Sequence, residues 1–158
     1  MRILGIDPGF GRIGFGCIEL QGTEWEAIDF GVITTDSTED FPDRLIQIYD
    51  DMNTLIKEFS PDIAAIEELF FAQNVTTGMQ VAEARGVITL SLAQHSLPIY
   101  SYAPNEIKAM ICGYGRADKK QVQHMIVELL NLSRIPQPDD AADALAIALT
   151  CGLNRVHL

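Results

Sequence analysis

Apolar positions along the chain change their period several times, and each change marks an element. Ile3, Leu4 and Ile6 fill the run from Arg2 to Asp7 and leave no polar side, which predicts a strand buried on both faces. Pro8-Gly9-Phe10-Gly11 is turn material. Residues 13–20 and 24–35 read as two more strands joined near Gly22, and three strands with tight turns predict an antiparallel meander. Leu45, Ile48, Tyr49, Met52, Leu55 and Ile56 then recur at helical spacing. They predict an amphipathic helix over 41–59, ended by Ser60-Pro61. Residues 62–67 read as a fourth, buried strand, 77–94 as a second long helix and 98–102 as a fifth strand. Helices are expected over 105–112, 119–130 and 140–151. The order βββαβαβααα predicts an α/β protein with one domain over residues 1–158.

Composition supports a packed core. Hydrophobic residues make up 47% of the 158, enough for a globular domain and too many for a disordered chain. Met1-Arg2 leads straight into strand-like sequence, and the apolar runs are too short to span a bilayer. These features predict a soluble cytoplasmic protein with no membrane partner. Cys17, Cys112 and Cys151 are scattered and form no Cys-x-x-Cys pair, which predicts reduced thiols and no structural zinc.

The net charge of −11 argues at first against nucleic acid. Its distribution says more. Residues 1–68 carry 4 basic and 15 acidic side chains, whereas residues 69–158 carry 7 of each. Lys108, Arg116, Lys119 and Lys120 fall within 13 residues of that neutral half. They could make a local basic patch on an acidic body; a highly acidic surface suited to a salty cytoplasm is the other reading.

The candidate chemistry lies where buried segments end in acids. Asp7 closes the first strand, and Glu67 closes Ile63-Ala-Ala-Ile-Glu67. Glu68 points the other way from Glu67, because side chains alternate along a strand. Asp140 and Asp143 stand at i and i+3 on one helix face, while Asp139, after Pro138, reads as the N-cap. The alanines around Asp143 predict close packing of this helix on the sheet. A carboxylate at the end of an apolar run is costly to desolvate, and several together repel. Divalent ions offset both costs. Asp7, Glu67, Asp140 and Asp143 could hold two such ions about 4 Å apart, as in two-metal phosphodiester hydrolysis. Taken alone, Asp7 fits other readings: an ordinary turn Asp, or the phosphate site of a sugar-kinase-like ATPase, which needs two such domains.

Phe70 and Phe71 follow Glu67 in a loop, where one ring could stack on a base rather than join the core. Lys119 and Lys120 open a helix, a poor place for cations, and so favour a phosphate partner.

Five segments in order carry a family likeness: Gly5-Ile-Asp-Pro-Gly9, Ala65-Ile-Glu67, Ala84-Arg-Gly86, Lys119 to Met125, and Asp140-Ala-Ala-Asp-Ala-Leu-Ala146. The chain resembles the RuvC family of bacterial Holliday-junction resolvases over residues 2–151. The resemblance implies a ribonuclease-H-like fold: a five-stranded mixed sheet, three strands antiparallel and then two parallel, with helices on both faces. It implies a homodimer that makes paired symmetric nicks in four-way junction DNA, and a branch-migration motor as partner. It places catalytic metal ligands at Asp7, Glu67, Asp140 and Asp143, for two Mg²⁺ per subunit with Mn²⁺ as substitute. It also implies DNA contacts at Lys108, Lys119 and Phe70, to which the basic patch adds Lys120 and Arg116. Family members are usually more basic, so weaker and more Mg²⁺-dependent junction binding is expected here. Two alternatives stand beside this reading: a ribonuclease-H-like nuclease acting on structured RNA, and a non-catalytic junction-binding protein.

Overall fold

The computed structural model describes residues 1–69 and 75–156. Its strands are β1 (Arg2–Asp7), β2 (Arg12–Gln21), β3 (Glu24–Thr34), β4 (Ile63–Glu67) and β5 (Ile99–Tyr102). Its helices are α1 (Phe41–Phe59), α2 (Val75–Gln94), α3 (Pro104–Cys112), α4 (Lys119–Leu129) and α5 (Asp139–Val156). The five strands form one sheet in the order β3-β2-β1-β4-β5. The first three pair antiparallel, while β1–β4 and β4–β5 are parallel. This is the mixed sheet that the family resemblance implies, and its first three strands are the antiparallel meander expected from the turns.

Alternation along the strands sorts two cores. Leu4, Ile6, Ile13, Cys17, Ala64 and Ile66 face α1 and α2, where they meet Ile48, Met52, Ile56, Ile88 and Leu92. Ile3, Ile18, Ile63 and Ala65 face the other way, toward α3, α4 and α5. Because β1 and β4 run parallel with Ile6 opposite Ile66, the next residues, Asp7 and Glu67, leave neighbouring strands together. The same alternation turns both toward the α5 side.

The helix α5 lies closer to the sheet than side-chain packing allows. A Cβ on Gly5 would strike the carbonyl oxygen of Ala144 and come within 2.6 Å of the Ala148 nitrogen. On Gly14 it would strike the carbonyl of Asp140. The expected close packing of the alanine-rich helix is therefore real, and glycine on the strands is its other half. Ala141, Ala144, Leu145 and Ala148 are fully buried.

Several boundaries differ from expectation. The strand β2 starts at Arg12, and α5 runs on to Val156. Asp139 is the first residue of α5 and not its cap. Its carboxylate is engaged elsewhere: it accepts a hydrogen bond from Gln123 Nε2 at 3.2 Å and pairs with Lys119 at 3.3 Å.

Candidate active site

Three elements deliver the acids to one place. Asp7 pairs with Gly14 across β1 and β2, and Gly14 in turn abuts the backbone of Asp140. Glu67 and Asp143 line a cavity of about 250 Å³ with Lys108, Lys119, Val122 and Ile147. Asp140 and Asp143 sit in the first turns of α5, where the helix dipole favours negative charge.

The electrostatics record the crowding. Burial, then Glu67, Asp143 and Asp140, push the Asp7 carboxyl up to about 8, against the pull of Lys119. Burial, followed by Asp143, raises Glu67, while Lys108 and Lys119 oppose. Burial also raises Asp143 despite its bond from Lys119, with Asp139 and Asp140 adding to the rise. The crowding therefore disfavours the charged form of Asp7.

Two protein cations stand against this cluster. Lys119 Nζ lies 3.0 Å from Asp143 Oδ2, and Arg12 Nη1 lies 3.3 Å from Asp140 Oδ2. Burial alone would lower Lys119, but Asp143 and Asp139 outweigh it and raise its pKa. Lys119 is set in place by the start of α4. There Asp118 Oδ1 accepts from the Gln121 amide at 2.9 Å, and Gln121 Oε1 accepts from the Asp118 amide at 2.8 Å. Asp139 and Asp143 thus supply the negative partners that a lysine at a helix N-terminus needs.

Among the described residues, no three His, Cys, Asp or Glu side chains stand close enough together to enclose an ion. The donor set itself fits a hard divalent cation. It offers carboxylate oxygen from three elements, and one buried acid is held neutral for want of positive charge.

The other expected residues fall unevenly. Lys108 lines the cavity beside Glu67. Lys120 and Arg116 are exposed nearby, and among the described residues neither forms an ion pair. Glu68 is exposed, just past the end of β4, as a solvated loop residue. Phe70 and Phe71 lie outside the described residues. Two residues were not legible as parts of the site. Arg85 donates to the Glu67 carbonyl at 3.1 Å and to Ser101 Oγ at 3.1 Å, which ties α2 to the ends of β4 and β5. Arg12 meets an acid 128 positions away, a separation that no local pattern signals.

Comparisons with known proteins agree with this architecture. The family model "Crossover junction endodeoxyribonuclease RuvC" matches residues 3–151. A protein of that name from Thermosipho melanesiensis is 53% identical over 148 residues, 94% of each chain. One from Alkaliphilus metalliredigens is 52% identical over 157 residues, 99% of this chain and 95% of that one. The Thermus thermophilus RuvC structure superposes with a TM-score of 0.92 at 30% identity, covering 99% of this chain and 96% of that one. A T. thermophilus RuvC in complex with Holliday junction substrate gives 0.90 at 28% identity, over the same shares of the two chains.

Proposed function

The chain belongs to the RuvC family of crossover junction endodeoxyribonucleases, and on that premise we propose that it resolves four-way DNA junctions by hydrolysing phosphodiester bonds. The fold is the ribonuclease-H-like one that the sequence predicts. The observation that carries the functional reading is the electrostatic crowding of Asp7, Glu67, Asp140 and Asp143, with Asp7 pushed up by burial and by the other three.

Asp7, Glu67, Asp140 and Asp143 are the residues we assign to the cofactor, Mg²⁺ at two ions per subunit, with Mn²⁺ as substitute. When bound, the ions supply activated water and charge neutralisation at the phosphodiester. The four acids provide hard oxygen ligands. Asp7 gives up its proton when positive charge enters. Lys108 and Lys119 form the cationic wall of the cavity and face the arriving phosphate. Lys120 and Arg116 extend that wall over the surface. Arg85 fixes the backbone of Glu67 and so the direction of its carboxylate.

The working form we propose is a cytoplasmic homodimer, whose two sites make paired nicks, with a branch-migration motor as partner. Among the described residues no helix is long and apolar enough to cross a membrane. The test is cleavage by the purified protein of a synthetic four-way junction, a linear duplex and a structured RNA, each with Mg²⁺. The expected result is symmetric nicks in the junction alone. An uncut junction across varied salt, or preferential cutting of RNA, rejects the proposal.

A further inference from the structure

No motif singles out Arg12, yet the fold delivers it to the carboxylate cluster. It is the first residue of β2, on the turn that follows Asp7. That turn is held from two sides. A Cβ on Gly9 would collide with the Arg12 carbonyl, so only glycine lets the backbone close there. Across from it, the Thr35 amide donates to the Gly11 carbonyl at 3.2 Å, and Thr35 Oγ1 donates to the Phe10 carbonyl at 2.9 Å. The guanidinium thus starts from a fixed base. Its Nη1 reaches Asp140 Oδ2 at 3.3 Å, with the arginine side chain 52% exposed.

Lys119 makes the matching contact with Asp143 and shares it with Asp139, so both Asp140 and Asp143 face a protein cation. Among the described residues Asp7 and Glu67 form no ion pair. An ion that claims Asp140 through Oδ2 therefore competes with Arg12. Arginine stays charged at any working pH, and its planar fork fits a phosphate as well as a carboxylate. Once displaced, it remains a half-exposed cation at the mouth of the site.

We infer that Arg12 is a positioning residue with two successive partners: it holds Asp140 while the acids lack a metal, and turns to a DNA phosphate once an ion takes its place. The second half rests on the junction-resolving reading above, whereas the first half stands without it.

Arg12→Gln and Arg12→Lys test the inference through two binding measurements. Mn²⁺ is titrated by calorimetry without DNA, and four-way junction binding in Ca²⁺ is measured across a salt series. Removing the competing cation is expected to tighten Mn²⁺ binding by Arg12→Gln about two- to fivefold. The same variant is expected to bind the junction more weakly, with a log–log salt slope shallower by about 1. Arg12→Lys keeps the charge and stays near wild type in both. A merely structural role would weaken ion and junction binding together. That result, or unchanged Mn²⁺ affinity in Arg12→Gln, overturns the inference. The Mn²⁺ titration contains no DNA, so it reads Arg12 even if the wild-type protein cuts no junction. A wild type that cuts none while the Mn²⁺ result holds rejects the resolvase reading alone.

Discussion

Against α1 and α2 the sheet presents Leu4, Ile6, Ile13 and Ile66, and the helices answer with Ile48, Met52, Ile88 and Leu92. Against α5, β1 and β2 present Gly5, Gly14 and Gly16, and the helix answers with the backbone of Asp140, Ala144 and Ala148 and with Leu145. The first interface spaces its layers with large side chains. A lost methyl there leaves a cavity, but the layers keep their places. At Gly5 and Gly14 the second meets backbone atoms, so an added Cβ there must move the helix. Asp140 and Asp143 ride on that helix, and the tight face is therefore the one that fixes chemistry. The loose face supplies stability, and the tight face supplies position.

The largest expected effect is at the acids that the tight face brings together. Glu67→Gln removes one of the four carboxylates and is expected to slow junction nicking by at least ~10³-fold, with folding intact by circular dichroism. Next comes the contrast itself. Gly14→Ala places a Cβ against the Asp140 carbonyl and is expected to cut nicking by roughly 10²-fold. Its cost in stability is about 1–3 kcal/mol. Ile88→Ala, on the other face, is expected to cost about 2–5 kcal/mol while nicking well below its melting temperature stays within about threefold of wild type. Equal activity losses in these two variants would erase the distinction between the faces. Single-turnover nicking and denaturant unfolding read both.

A smaller effect concerns pH. The folded protein holds the Asp7 proton up to about 8, whereas an unfolded chain releases it near 3.8. The folded state then binds more protons between those values, so metal-free stability falls as pH rises through that window and levels off above it. Asp7→Asn removes the Asp7 share of this fall, while the raised Glu67 and Asp143 keep theirs. A thermal unfolding series in chelator is expected to show the wild-type midpoint dropping by roughly 5 °C or more, with a flatter curve for the variant. Smallest is Lys119→Gln, which breaks half-exposed pairs with Asp139 and Asp143. It is expected to change stability by under about 1 kcal/mol in denaturant unfolding.

Much of the fold was legible because the apolar period is strong where it matters. The helix over Phe41–Phe59 and the buried runs ending at Asp7 and Glu67 lie where periodicity places them. Strand alternation also separated Glu67 from Glu68 without coordinates. What sequence could not show is pairing between distant segments. Asp139 reads as a cap from its neighbours, but its partners, Gln123 and Lys119, lie on another helix. Lys119 suggests a phosphate from its helix position, and the fold places two carboxylates there as well. The glycines of β1 and β2 read as breaks in hydrophobicity. Only the approach of α5 gives them their meaning.

The most direct measurement is nicking of a four-way junction by Asp7→Asn beside wild type, with Mg²⁺, alongside junction binding of both in Ca²⁺. A four-carboxylate hydrolytic site predicts paired nicks from wild type, none from Asp7→Asn, and junction affinity for the variant within a few-fold of wild type. Nicking by Asp7→Asn at the wild-type rate would contradict it.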